Sequence, residues 1–380
     1  MENNMKAFVF DQYGTTENLN YKDIPIPGLK DNEVLIKVHS VSVNAGDIHF
    51  LHGTPCPIRL LSGIFKPHIN ILGHDLSGTI TSMGSKVTGF EVGDSVFGAV
   101  PINFNGSFAE YVKVPSSYIS KKPENMSFED AASIPIAAMT ALQAIRKNVK
   151  PDSDKRVLIY GASGGVGSFA VQIAKALDCK VTAVCSTRNV ESAKKLGAEH
   201  VIDYKKESVF KRDEKYDLVF AANGDNSIFS YKKLLDKNGV YVTAGGSSKQ
   251  MTQAMILGRF IFSNKMSFLG LKPNSKDLEY LSSLHKEGKL VPVIDKVFAR
   301  DQLPDAVKHF EEGKACGKVV IDFTLQAETQ AEEQSENTTK PQAENVIEKH
   351  IETQTENLTE TTSKNQDENI IKNEVTNIQA

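Results

Sequence analysis

The stretch Val157-Leu-Ile-Tyr-Gly-Ala-Ser-Gly-Gly-Val-Gly167 decides the fold. A short apolar run with strand character enters a turn at Gly161 and leaves through Gly167 into a helical pattern over Val166–Leu177. Glycines at such a turn have separate tasks. One lets the chain reverse, one removes a Cβ that would block a diphosphate, and one lets the helix pack tightly on the strand. The helix that follows aims unsatisfied N–H groups and the positive end of its dipole at the turn. Ser163, Gly164, Gly165 and Val166, between Gly161 and Gly167, are therefore expected to hold a diphosphate through their amides.

Downstream, strands and helices alternate. Strands are expected at Lys180–Cys185, His200–Ile202, Asp217–Ala222, Gly239–Ala244 and Met266–Leu271, with helices at Val190–Leu196 and Ile228–Leu235. This alternation predicts an α/β, doubly wound parallel sheet, the Rossmann arrangement. Ala222-Asn223 and Gly245-Gly246 end successive strands, where ligands bind in such sheets. At the end of the second strand an NAD site usually carries an acid for the ribose hydroxyls. Here the segment reads Cys185-Ser-Thr-Arg-Asn189. A carboxylate would repel a 2′-phosphate, whereas Arg188 pairs with it and Ser186 donates to it, so NADPH is the expected cofactor. Tyr204, after the third strand, is placed beside the same phosphate.

Upstream the pattern differs. Lys6–Phe10, Glu33–Val43, Gly78–Met83 and Ala109–Val114 are short β-prone runs punctuated by Pro and Gly, which suggests a small barrel-like β domain. Ser127 with Asp130 resembles a capping box, and Pro135 divides the helical region after it. After the sheet come helix Lys276–Glu287, strand Pro292–Phe298, helix Leu303–Glu312 and strand Lys318–Phe323, the last two strands returning to the β domain. The expected domains are 1–122 with 290–324, 123–289, and a tail at 325–380. That tail has 12 acidic against 4 basic residues and a degenerate Glu-Asn repeat at twelve-residue spacing, the composition of a disordered extension. Removing it turns a net charge of −3 into a mildly positive body, too weak a bias to suggest nucleic acid. Four scattered cysteines form no zinc or disulfide pattern. The N-terminus has no signal-like segment, and no stretch reads as a membrane span, so a cytoplasmic location is expected.

Several segments resemble the quinone oxidoreductase/zeta-crystallin branch of the medium-chain dehydrogenase/reductase superfamily. They are Asp154-Lys-Arg-Val-Leu158, Ala162–Gly167 with Gln172 and Lys175, Val43-Asn-Ala-Gly-Asp47, Leu72-Gly-His-Asp75, Gly93–Gly98, Gly106–Tyr111, Gly197–Tyr204 and Gly317-Lys-Val-Val320. The resemblance covers about Met5 to Phe323 and implies a GroES-like β-barrel domain, a Rossmann domain, a cleft between them, and a homodimer paired through Met266–Leu271. It also locates the metal ligands of zinc relatives. Their places hold Asn44, His74 with Asp75, and Ala138-Met-Thr140, so no metal is expected, because one histidine does not replace three protein ligands.

Without a Lewis acid, reduction of an activated acceptor, a quinone or α,β-unsaturated carbonyl, is the expected reaction. Asn44, Asp47 and His74 are the catalytic candidates, with no evident general acid. Thr140 is expected near the nicotinamide phosphate and Lys318 is expected to reach the cofactor from the returning strand. An NADP-dependent alcohol dehydrogenase, an enoyl-thioester reductase, or an NADPH-binding scaffold without turnover remain open.

Overall fold

The computed structural model describes residues 4–149, 154–260 and 265–325. The expected tail lies outside these residues, apart from Leu325 at its start. The chain opens with β1 (Asn4–Val9) and β2 (Asn20–Pro25), an antiparallel pair. It continues through β3 (Glu33–Ser42), α1 (Ala45–His52), α2 (Pro57–Ser62), β4 (Asp75–Met83), β5 (Ser95–Ala99), β6 (Tyr111–Pro115) and β7 (Ile119–Lys121). Along β3, Val34, Ile36 and Val38 are buried while Lys37 is exposed, the alternation of a strand with one face on a core. That core gathers Phe8, Phe10, Ile36, Leu51, Leu72, Leu76 and Phe108.

Next come α3 (Phe128–Ser133) and α4 (Pro135–Arg146). Ser127 caps α3 by accepting from the Asp130 N–H at 3.0 Å. Pro135 then starts α4, where its missing N–H is harmless. Then follow β8 (Arg156–Tyr160), α5 (Gly165–Ala176), β9 (Lys180–Cys185), α6 (Val190–Lys195), β10 (His200–Asp203), β11 (Tyr216–Ala221), α7 (Ile228–Lys232), β12 (Leu235–Thr243), α8 (Ser248–Phe260), β13 (Met266–Phe268) and α9 (Ser275–Lys286). The six strands stand in the order β10-β9-β8-β11-β12-β13, and all pairs are parallel. This is the doubly wound order expected from the alternation. Its direction of winding reverses between β8 and β11, where a crevice opens at the strand ends.

The chain closes with β14 (Ile294–Ala299), α10 (Leu303–Glu311) and β15 (Lys318–Asp322). β15 pairs antiparallel with β3 and parallel with β14, so the last strands do rejoin the first sheet.

Two expectations need correction. The helix expected over Ile228–Leu235 stops at Lys232, and Leu235 already belongs to β12. The Leu234 carbonyl accepts from Tyr216 N–H at 2.9 Å, and this sheet bond overrides local helix propensity. The strand expected over Met266–Leu271 ends at Phe268. No element was expected at 248–260, where α8 lies.

Candidate functional site

The glycine turn is built as its spacing requires. Gly161 has φ +81°, a left-handed value that an L side chain rarely adopts. A Cβ on Gly167 would lie 2.0 Å from the Gly161 carbonyl oxygen, so only glycine lets α5 sit this close to β8. Gly164 is different. A Cβ there would meet nothing nearer than 3.7 Å. The space above it is open, and the first amides of α5, which lack intrahelical partners, border it. Ser163 is half-buried in the turn, and Val166 packs partly against the sheet core.

The neighbouring strand ends close around this turn. Ala222 N–H donates to Tyr160 O at 3.0 Å, and Asn223 lies against Gly161. Gly245 abuts the Ala222 carbonyl, and Gly246, with φ +118°, bridges to Gly224. Gly161, Ala222, Asn223, Gly245 and Gly246 are thus brought to one edge of the sheet.

At the end of β9, Asn189 Nδ2 donates to Ser186 Oγ at 3.1 Å, and Arg188 Nη2 donates to the Lys314 carbonyl at 2.8 Å. Arg188 is therefore tied to the segment leading into β15. Tyr204 donates its N–H to Cys185 O at 3.1 Å and is 49% exposed, with Lys205 Nζ 5.5 Å from its ring centre. An acid does stand nearby: Asp203 is buried, and its Oδ1 accepts from Lys205 N–H at 3.0 Å.

A second centre lies on the barrel side. Asp75 is fully buried at the start of β4. Its Oδ2 accepts from Ser42 Oγ at 2.5 Å, Asn44 Nδ2 at 2.8 Å and Lys318 Nζ at 3.1 Å, and its Oδ1 from Ile136 N–H at 2.7 Å. The last bond comes from the first turn of α4, whose dipole favours the charge. Lys318, only 2% exposed, also donates to Asn44 Oδ1 at 2.7 Å and Val43 O at 3.3 Å. Asp47 Oδ2 accepts from Asn44 N–H at 2.8 Å, while Oδ1 accepts from Gly73 N–H at 2.9 Å and from His74 Nδ1 at 2.8 Å. A carboxylate only accepts, so Nδ1 carries the proton and Nε2 is the reactive nitrogen. Among the described residues Nε2 has no hydrogen-bond partner. Burial works against a charge on His74, but the adjoining carboxylates of Asp47 and Asp75 prevail and raise its pKa above the ordinary imidazole value.

Three of the expected site residues are bonded within the protein. Asn44 does not offer its amide hydrogens outward, because Nδ2 is committed to Asp75. Lys318 holds the Asn44–Asp75 pair with its ammonium. It meets the cofactor turn only through its stem, whose Cδ lies 2.7 Å from where a Gly165 Cβ would stand. The Thr140 hydroxyl donates within its own helix to Ile136 O at 2.6 Å. Sequence reasoning nominated neither Asp75 nor Ser42, although Asp75 closed the quoted Leu72-Gly-His-Asp75 segment.

The two centres touch. Gly164 and Gly317 form a bridge between the glycine turn and the approach to β15. Among the described residues no group of three His, Cys, Asp or Glu is placed to hold a metal, and no helix is long and apolar enough to cross a membrane.

Comparison with known proteins agrees with this architecture. Residues 30–124 match the alcohol dehydrogenase GroES-like domain model, and residues 196–321 match the model described as zinc-binding dehydrogenase. The mitochondrial NAD(P)H oxidoreductase RTN4IP1 of Bos taurus is 34% identical over 360 residues, covering 83% of this chain and 89% of that protein. The 2-methylene-furan-3-one reductase of Solanum lycopersicum is 33% identical over 333 residues, covering 83% and 79%. The solved quinone oxidoreductase of Coxiella burnetii superposes with a TM-score of 0.74 at 32% identity, covering 84% of this chain and 99% of that one. The chain belongs to the medium-chain dehydrogenase/reductase superfamily, in its quinone oxidoreductase-like branch.

Proposed function

We propose that the protein is an NADPH-dependent, zinc-independent reductase that acts on a quinone or an α,β-unsaturated carbonyl. The observation that carries this reading is the contact of Gly164 with Gly317 and of Gly165 with Lys318, which sets the diphosphate cradle against the Asn44–Asp75 cluster. The Ser163–Gly167 amides hold the diphosphate, with Asn223, Gly245 and Gly246 along the crevice and Thr140 on the opposing helix. Ser186 and Arg188 receive the 2′-phosphate, and Tyr204 flanks it. The named activities of the bovine, tomato and Coxiella relatives support the acceptor class.

When bound, the dinucleotide supplies a hydride to a conjugated position of the acceptor. Charge then develops on the acceptor oxygen and needs a donor. His74 provides it from Nε2, with Asp47 fixing the ring through Nδ1. Asn44 and Lys318 position the surrounding backbone, and Asn44 Oδ1 keeps a lone pair for a hydroxyl.

The donor set does not suit a catalytic zinc. Asn44 is a poor ligand, the Nδ1 of His74 is taken by Asp47, and both Asp75 oxygens are occupied by donors, one of them an ammonium. No step is therefore assigned to a metal. β13 is the outer strand of its sheet, which suits a homodimer paired edge to edge. The relative from Bos taurus is named as mitochondrial, and imaging of a C-terminally tagged chain decides between a mitochondrial and a cytoplasmic site for this protein.

The test is NADPH and NADH oxidation against quinones, enones, enoyl thioesters and, in reverse, alcohols, with and without chelator. Turnover of quinones or enones, faster with NADPH and indifferent to chelation, is expected. Loss of activity on chelation, or no turnover of any acceptor, overturns the reading.

A further inference from the structure

Among the described residues, the densest run of large exposed apolar side chains lies in one segment. Leu60, Leu61, Ile64 and Phe65 are 74%, 54%, 58% and 94% exposed, all within six consecutive residues at the end of α2 and just beyond it. Scattered apolar residues on a surface are ordinary, but a contiguous patch marks an interaction surface. The segment is held from beneath. The Tyr13 hydroxyl is 2.7 Å from Ser62 Oγ and donates to Gly63 O at 2.5 Å. Arg59 Nε donates to Gly53 O at 3.0 Å, and its guanidinium lies 4.6 Å from the Tyr13 ring centre. Ser62 and Pro67 are buried, so the apolar side chains between and beside them stay turned outward.

The charge around the patch has one sign. From Ile48 to His74 the sequence contains no Asp or Glu, but it contains Arg59, Lys66 and the histidines His49, His52, His68 and His74. Lys66 and His68 are exposed beside Phe65. Glu311 of α10 faces this segment and is paired with His52 Nε2 at 3.1 Å. Leu, Ile and Phe bordered by cations, on a segment with no acid of its own and with Glu311 paired to His52, match an interface of apolar acyl chains and anionic headgroups.

We propose that the α2 segment docks the protein on an anionic lipid surface. Leu60, Leu61, Ile64 and Phe65 enter the boundary between headgroups and acyl chains, and Lys66 meets the phosphates. α2 packs on α1, the helix that begins after Asn44 and carries Asp47, so the lipid would lie one helix away from the polar cluster. The proposal does not depend on the reductase reading, because binding is measured without turnover.

The full chain is floated with phosphatidylcholine vesicles containing phosphatidylglycerol, and with phosphatidylcholine alone. Binding to the anionic vesicles that weakens with salt is expected. Leu60→Ser combined with Phe65→Ser should lower the partition coefficient about ten-fold or more, and Lys66→Glu about five-fold or more. Equal or absent binding to both vesicles overturns the proposal, as does binding that the variants leave unchanged. It is also overturned if the double variant instead dissolves a dimer in sedimentation, which would place a second copy on the patch. A raised KM for a water-soluble acceptor without vesicles would make the patch a wall of the acceptor pocket, and overturns it as well.

Discussion

The glycine turn and the barrel-side polar cluster adjoin each other but are specified in opposite ways. The turn is seven consecutive residues whose tasks follow from backbone geometry: a left-handed φ at Gly161, open space at Gly164, a helix pressed on its own strand at Gly167. The cluster joins β3, α1, β4, the start of α4 and β15, and its central contact links residues 274 positions apart. The first region works by the absence of side chains. The second works by buried charges that satisfy one another. Their failures should therefore differ in kind as well as in size.

The largest effect is expected in the cluster. Lys318→Met leaves Asp75 buried without its cation and should cost about 3–5 kcal/mol of stability, because removing one partner of a buried pair strands the other. Denaturant unfolding measures it. A loss below about 1 kcal/mol, the level of an exposed pair, would put the cluster on the same footing as the surface ion pairs.

His74→Gln keeps a hydrogen-bonding side chain but removes the titrating donor, and should lower kcat about 100-fold, the lower range for a positioned acid. In the unmodified protein, activity that needs the imidazolium is full at low pH and falls as pH rises through the raised pKa of His74. The same group stabilises the fold below the ordinary imidazole pKa, and this contribution disappears as pH rises through the folded value. A kcat profile in which His74→Gln retains the limb assigned to His74 would remove it from the chemistry.

Gly167→Ala and Gly164→Ala sharpen the comparison inside the turn. A Cβ on Gly167 meets a backbone oxygen at 2.0 Å, so stability should fall by about 1–3 kcal/mol, as in an overpacked core. A Cβ on Gly164 meets no protein atom closer than 3.7 Å, so the melting temperature should hold while the cofactor Kd rises about ten-fold, or 1.4 kcal/mol. Calorimetric titration with NADPH reads that change. Equal thermal losses from the two alanines would mean that both glycines serve packing and that neither serves a ligand.

The parallel sheet was legible because its signals are local and repeated. The strand at Lys180–Cys185 and the return of Lys318–Phe323 to the first domain's sheet could be read from the pattern of residues. Over Ile228–Leu235 local preference misled, because the helix yielded to the pairing of Leu235 with Tyr216. The helix at Ser248–Phe260 had no signal of comparable strength. At the site, Arg188 and Ser186 were named from the strand end alone, but the bond from Arg188 to the Lys314 carbonyl depends on the chain's return.

The sequence by itself determined the glycine turn and the alternation that builds the sheet, because backbone sterics and side-chain periodicity act between near neighbours. Tertiary structure alone decided that Lys318 is buried, that Asn44 faces Asp75, and that Asp47 holds His74 by Nδ1. Each of these depends on which charges the fold removes from water together, and a buried charge takes its partner from whatever packing brings within reach.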